Sequence, residues 1–240
     1  MTKILIVDSN TVDANALNHA IGYADVSEIF ASALRGLNPA LEITITHPYS
    51  GDAADPAPFD GVVFTGSAVD WNTDDARAAP LAQAMRAAFA ARRPTFGSCN
   101  GMQLAASVLG GSTGESRNGR EDGLARAIAR SAAGRAHPML AARDNTFSAP
   151  CIHRDEVIRL PDGAVLLAGN AHSRVQAFAY AQDGIDFWGV QYHPEFSLAF
   201  IADVLRARGA SPEDAAAQTS PALDDHARLS ELRAWLAHIA

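Results

Sequence analysis

The sequence predicts an α/β fold, a three-layer sandwich around a largely parallel central sheet with a small antiparallel extension and C-terminal helices. Three observations predict it. Apolar runs at Lys3–Asp8, Leu41–His47, Gly61–Gly66 and Pro94–Cys99 alternate with helical stretches, the pattern of βαβ units. From Gly110 to Trp188 the runs shorten and are separated only by turns, at Leu124–Arg130, Pro150–Leu160, Ala164–Ala171, Val175–Ala181 and Ile185–Gln191, which predicts the antiparallel part. Beyond Ser197 the pattern is helical. At 240 residues the chain can bury a sizeable core, and it reads as a single domain, 1–240, with a core at 1–197 and a helical tail at 198–240.

Each element has a local cause. The first strand follows Met1-Thr2-Lys3 directly, and Ile4-Leu5-Ile6-Val7 is too short for a signal peptide or a membrane helix. Ser9–Ala24 is long for a βα connection and polar at its start. It is expected either to form a surface turn plus an extra helix, or to line a pocket beyond the strand ends through Asn10, Asn18 and Tyr23. Asp25 and Glu28 make a capping box for a helix that turns Ile29, Phe30, Ala33 and Leu34 inward and stops at Gly36. Asp74 and Asp75 precede a helix from Ala76 to Arg92, ended by Pro94. In the tail, Ser211-Pro212-Glu213-Asp214 is a capping box, and Ser220-Pro221 starts a last helix. Leu229, Leu232, Leu236 and Ile239 share a face of that helix beside Trp235, and the face packs on the domain or on a second subunit, so a homodimer is one expectation.

Composition limits the partners. With 19 basic and 27 acidic residues the net charge is −8, which favours solubility and argues against nucleic acid as a partner. The expectation is a cytoplasmic protein with no membrane partner. Only Cys99 and Cys151 are present, with no Cys-x-x-Cys, so neither a disulfide scaffold nor a zinc site is indicated. The eight histidines show no ligand spacing, and no metal or cofactor is implied.

The chemistry concentrates in two passages. Thr95-Phe96-Gly97-Ser98-Cys99-Asn100-Gly101-Met102-Gln103 has an apolar lead-in, a Gly-x-Cys-x-Gly core and a helical continuation at Leu104–Leu109. That is a nucleophile elbow, a tight strand-to-helix turn that presents one reactive side chain near the free N–H groups of the helix. The second passage is Phe187-Trp188-Gly189-Val190-Gln191-Tyr192-His193-Pro194-Glu195. On a strand running through it, His193 and Glu195 project to one face. A thiol needs a base to become a thiolate, and the base needs a third group to orient it, so Cys99, His193 and Glu195 form a candidate triad.

Together, Gly97–Gln103 and Tyr192-His193-Pro194-Glu195 resemble the class I glutamine amidotransferases, most closely the amidotransferase domain of GMP synthases, over about Met1 to Ser197. The resemblance implies a flavodoxin-like fold in which Cys99 attacks a γ-glutamyl amide to form a thioester, and His193, oriented by Glu195, protonates the leaving amine and then activates water. It implies an oxyanion hole from the N–H groups of Asn100 and Gly66, the latter in Val62-Val63-Phe64-Thr65-Gly66-Ser67, where the family usually has Gly-Gly-Pro or Asn-Gly-Pro. Gln103 matches a family glutamine that holds the amino-acid end of the substrate. Cys151-Ile152-His153-Arg154-Asp155-Glu156-Val157 is similar to a Ser-His-Gly-Asp-x-Val stretch that grips the substrate, which makes His153, Arg154 and Asp155 candidate binding residues. Arg154 stands where the family has glycine; it caps an anionic leaving group or lies in solvent. Arg120-Glu121-Asp122-Gly123 resembles an Arg-Glu-aromatic-Gly turn and reads as structural.

Two enzyme functions and one silent alternative follow. A GMP synthase would continue into an ATP-binding domain, and no phosphate-cradling glycine loop precedes Ala240. The expected function is therefore a freestanding hydrolase of glutamine that supplies ammonia to a separate synthetase, or a γ-glutamyl peptidase or amidase acting on a larger γ-glutamyl small molecule. A catalytically silent binding protein has no chemical reason to keep the triad. An α/β-hydrolase places its acid before its histidine, and a papain-type protease lacks the elbow, so neither fits.

Overall fold

The computed structural model describes residues 1–240. Its strands are β1 (Lys3–Val7), β2 (Glu42–Thr46), β3 (Gly61–Phe64), β4 (Thr95–Ser98), β5 (Ser112–Glu115), β6 (Glu121–Arg130), β7 (Thr146–His153), β8 (Asp155–Arg159), β9 (Val165–Gly169), β10 (Ala177–Tyr180) and β11 (Phe187–Val190). Its helices are α1 (Val12–Ala20), α2 (Val26–Leu37), α3 (Ala79–Ala90), α4 (Asn100–Val108), α5 (Ala132–Ala136), α6 (Leu198–Ala207), α7 (Pro212–Gln218), α8 (Asp225–Arg228) and α9 (Ser230–His238). No helix is long and apolar enough to cross a membrane.

Nine strands form one sheet in the order β2-β1-β3-β4-β11-β10-β9-β6-β7. The first five are parallel to their neighbours, and from β10 onward the pairing is antiparallel. Alternation along β1 sends Ile4 and Ile6 to one face and Leu5 and Val7 to the other, and both faces are covered. On the first face Phe30 and Leu34 of α2 pack with Phe96 and with Trp235 of α9. On the second, Leu81 and Met85 of α3 pack with Met102 and Leu104 of α4. A third apolar cluster, built on Phe196, Phe200, Val204 and Val26, lies among α1, α2, α6 and α7. The parallel strand ends point at this region, which places the site.

Several elements differ from expectation. The run Pro150–Leu160 is not one strand: it divides at Arg154 into β7, in the main sheet, and β8, which leaves it to pair with β5. β5 itself, Ser-Thr-Gly-Glu, lacks the apolar alternation that announces a strand. Gly36 does not stop α2, which runs through it to Leu37. The Asp25 side chain caps nothing; it binds His19 Nε2 at 2.6 Å instead. The last helices begin at Asp225 and Ser230 rather than at Ser220-Pro221. Their apolar face packs on this chain, with the Trp235 ring 6.0 Å from that of Phe96.

Candidate active site

The chain turns sharply between β4 and α4, and Cys99 sits on the turn with φ 50° and ψ −104°, left-handed backbone that a non-glycine residue rarely adopts. The flanking glycines make it possible. A Cβ on Gly97 would lie 2.6 Å from the Gly101 carbonyl carbon, and one on Gly101 would lie 2.4 Å from the Phe64 oxygen. Cys99 is 5 % exposed and opens into a cavity of about 220 Å³.

His193 and Glu195 are adjacent, by a route other than the strand alternation that predicts it. β11 ends at Val190, and the two residues lie on a turn beyond it, closed by Phe196 N–H donating to the His193 carbonyl at 3.2 Å. His193 Nδ1 donates to Glu195 Oε1 at 2.7 Å, and its ring stacks on Phe196 at 4.3 Å. That leaves Nε2 buried, without a hydrogen-bond partner, next to Cys99. Burial of the ring opposes its charge. The Glu195 carboxylate, followed by Cys99, outweighs this and pushes the His193 pKa up to about 10. A thiol, an imidazole held in its charged form and a buried carboxylate can form a thiolate–imidazolium pair.

Sequence reasoning missed the residues that hold this set. The Ser98 hydroxyl donates to both Glu195 oxygens, at 2.9 and 3.1 Å. Gln191 Nε2 reaches Cys99 Sγ at 3.4 Å, and Gln191 Oε1 accepts from Gln103 Nε2 at 3.1 Å. Both lie inside the quoted motifs, but nothing in their spacing announces the contacts.

Gly66 lies against the pair, since a Cβ there would be 2.5 Å from His193 Cε1 and 3.5 Å from Cys99 Cβ. Its N–H has no acceptor in the protein. Asn10 fastens the loop: Nδ2 donates to the Gly66 carbonyl at 3.0 Å, and Oδ1 accepts from Ala68 N–H at 2.8 Å. Asn10 is in turn gripped by fully buried Asp8, whose Oδ1 accepts from Asn10 N and Nδ2, each at 2.9 Å, while its Oδ2 accepts from Ser27 Oγ at 2.7 Å. The Ser9–Ala24 segment forms the extra helix expected of it, α1, capped by Thr11, and of the three residues expected on a pocket only Asn18 lines the cleft beside His193. Tyr23 instead donates to Asp203 at 2.8 Å.

Asn100, at the start of α4, lines the cavity together with Gln103, His153, Arg154 and Asp155. Their side chains differ in freedom. Gln103 Nε2 is engaged by the Asp155 carbonyl at 2.6 Å. His153 has both nitrogens in use, Nδ1 on the Asp155 carbonyl at 3.1 Å and Nε2 on Glu121 at 3.0 Å. Arg154 is bidentate on Asp155, at 2.8 and 3.2 Å. Although the histidines show no ligand spacing, the fold gathers Glu121, His153 and His172 with ligand atoms within 4.8 Å of one another. The Glu121 oxygens are already taken by Asn170, Gln176 and His153, which makes this a hydrogen-bonded wall. Burial alone would raise the Glu121 pKa, but His153 and Asn170 bring it below the usual value.

The model of the class-I glutamine amidotransferases matches residues 23–203. The chain belongs to that family. It is 37 % identical over 209 residues to a Pseudomonas γ-glutamyl-L-1-hydroxyisopropylamide hydrolase, covering 81 % of this chain and 68 % of that protein. It is 30 % identical over 184 residues to the glutamine-hydrolyzing GMP synthase of Paraburkholderia phytofirmans, covering 72 % of this chain and 32 % of the synthase. The chain thus spans about a third of the length of such synthases. A solved glutamine amidotransferase from Thermotoga maritima superposes with a TM-score of 0.73 at 15 % identity over 99 % of this chain and 97 % of that one, a likeness of fold. This amidotransferase-family chain is an enzyme, a glutamine amidotransferase-like hydrolase.

Proposed function

We propose that the chain hydrolyses γ-glutamyl amides through a thioester on Cys99. The observation that carries this reading is the buried His193 ring, bound at Nδ1 by Glu195 and free at Nε2 beside the thiol. The thiolate sulfur attacks the amide carbonyl carbon, and the resulting oxyanion is met by the N–H groups of Gly66 and Asn100. His193 Nε2 gives its proton to the amide nitrogen, the C–N bond breaks, and the free amine departs. Water then attacks the thioester as His193 takes its proton; the C–S bond breaks, releasing glutamate and restoring the thiolate–imidazolium pair. Gln191 Nε2 donates to the sulfur in its anionic form, and Ser98 fixes the Glu195 carboxylate.

Glutamine is the smallest substrate of this class, with ammonia as the amine. The likeness to a γ-glutamyl alkylamide hydrolase supports a larger amine, and this first reading needs no partner. The likeness to the amidotransferase part of GMP synthases supports the second reading, in which ammonia passes to a separate synthetase subunit. Release of glutamate and amine from glutamine, γ-glutamyl alkylamides and γ-glutamyl peptides separates the two. Strong turnover of an alkylamide with negligible glutaminase activity selects the first; weak glutaminase activity that rises with a synthetase selects the second. Cys99→Ala abolishes turnover of every member of the panel, and a glutamine-like diazoketone labels Cys99 alone. Full turnover by the Cys99→Ala protein would remove the assignment.

A further inference from the structure

The cavity at Cys99 has a second branch. A cleft of about 50 Å³ lies against Gly66 and His193 and shares Ser67, Ala68, Ile152 and Arg208 with that cavity. Its walls are largely apolar, with Leu17 from α1, Ile152 from β7, and Phe196, Phe200 and Val204 from the turn and α6. Arg208 stands where this cleft meets the larger cavity and lines both. The space holds about three to five water-sized groups.

Position gives the cleft its meaning. The His193 Nε2 proton goes to the amide nitrogen, so that nitrogen lies at the imidazole and its substituent continues past the ring. In the proposed reaction the γ-glutamyl part takes the larger cavity, which Gln103 and Asp155 line.

Charge distinguishes Arg208 from its neighbours. Arg154 is paired with Asp155, and Arg120 is bidentate on Asp122 at 3.0 and 3.3 Å. Arg208 is exposed at the rim of the cleft, its guanidinium makes no hydrogen bond and no ion pair, and it faces the Arg120 charge; partial desolvation, then that charge, lower its pKa, with Asp122 opposing them. It remains a cation. A guanidinium with no protein partner, at the rim where a short apolar cleft meets an open cavity, is a receptor for a planar anion.

We infer that the cleft is the subsite of the leaving amine, and that it takes a short aliphatic amine whose far end carries a carboxylate, held by Arg208. The methylene groups lie along Ile152, Phe200 and Val204, and the carboxylate meets the one uncompensated cation at the junction. This rests on the hydrolase reading above.

Three substrates of matched length test it: γ-glutamyl-β-alanine, γ-glutamyl-propylamide and γ-glutamyl-1,3-diaminopropane. Arg208 lies just beyond the end of α6 and its guanidinium touches no partner, so its replacement leaves the fold intact. In Arg208→Gln the ratio of kcat/KM for the anionic over the neutral amide falls about 10- to 100-fold, the scale of one charge-assisted contact. In Arg208→Glu the preference reverses toward the diamine. Val204→Phe, which fills the cleft, lowers kcat/KM for all three relative to glutamine. An unchanged anionic-to-neutral ratio in Arg208→Gln overturns the proposal. So does an equal loss on all three amides, which would mean that Arg208 holds the α-carboxylate they share. A Val204→Phe protein with unaltered selectivity removes the cleft as the amine subsite. If the unmodified enzyme cleaves no γ-glutamyl amide, the reaction itself fails and takes the subsite with it; if it cleaves them and the variants leave the ratios unchanged, only the subsite falls.

Discussion

At Cys99 the backbone adopts a conformation that costs about 1–3 kcal/mol for a residue with a side chain. It persists because β4, α4 and the β3 end leave room for nothing else. What the strain obtains is a thiol aimed at His193. The second cysteine is a control within the same chain: Cys151 is fully buried, and burial, then Glu121, pushes its thiol well above the ordinary value, so it is inert. Glu195 sets the charge of His193, which gives a prediction with a definite sign. The folded pKa of His193 is raised, so the stability of the pair is complete below about pH 6.5 and is lost as pH rises through about 10. The imidazolium that the proposed hydrolysis needs to protonate the leaving amine is lost over the same upper range. Glu195→Gln removes the opposing charge, and the alkaline limb of the kcat/KM profile moves down by about 1–3 pH units. A limb that stays in place shows that Glu195 orients the ring without tuning it. The meeting of Cys99, His193 and Glu195, the candidate triad, was legible because each falls in a motif whose residue types are chemically dedicated. Ser98 and Gln191 were not, since serine and glutamine beside a motif are common on any strand, and their role exists only once β4 and β11 lie side by side in register.

The elements around the triad show where sequence patterning ends. The parallel half of the sheet is written in apolar runs, because strands buried on both faces need them. β5 and β8 form a separate ribbon whose residues are partly exposed, so their pattern is faint, and the break at Arg154 is visible only from its consequence, a strand that changes sheets. The Gly66 loop, the proposed oxyanion loop, is the corresponding case at the site. Its position after β3 was legible; its stiffening was not, because Asp8 and Asn10 reach it from the end of a different strand. Where the family has a proline, this chain has Ser67, whose hydroxyl donates to the Ser9 carbonyl at 2.6 Å, and the Asn10 clamp takes over the work of rigidity. Asn10→Ala is therefore expected to lower kcat about 10- to 100-fold, less than outright loss of an oxyanion donor, with KM within about twofold of its starting value. Steady-state kinetics on glutamine or an alkylamide read this split. A rise in KM at constant kcat would instead place Asn10 in substrate binding.

Across the whole molecule, the C-terminal helices secure the catalytic turn from beneath. The tail was legible as helices with an apolar face; that it meets the triad was not, because the polar residues responsible look like ordinary surface charges in sequence. Arg228 Nη1 donates to the Pro194 carbonyl, between His193 and Glu195, at 2.6 Å. Tyr192, the residue before His193, donates its hydroxyl to Glu231 Oε1 at 2.7 Å. Glu231 is fully buried and pairs with Arg143 in bidentate geometry, at 2.7 and 2.9 Å, while the guanidinium lies over Phe147 at 4.7 Å. A buried pair of this kind resists the loss of one partner far more than the replacement of both, since the survivor keeps its desolvation penalty without its attraction. Glu231→Gln leaves Arg143 as an unpaired cation and is expected to cost about 3–5 kcal/mol in urea unfolding, whereas Arg143→Met with Glu231→Leu together recovers most of that loss. The same two proteins separate stability from catalysis. If α9 acts only as a weight on the fold, the double variant regains full kcat; if Tyr192 must be held by Glu231 to seat His193, the double variant regains its unfolding midpoint and keeps a lowered kcat. The Tyr192–Glu231 bond lies one residue from the base, so the second outcome is the one expected.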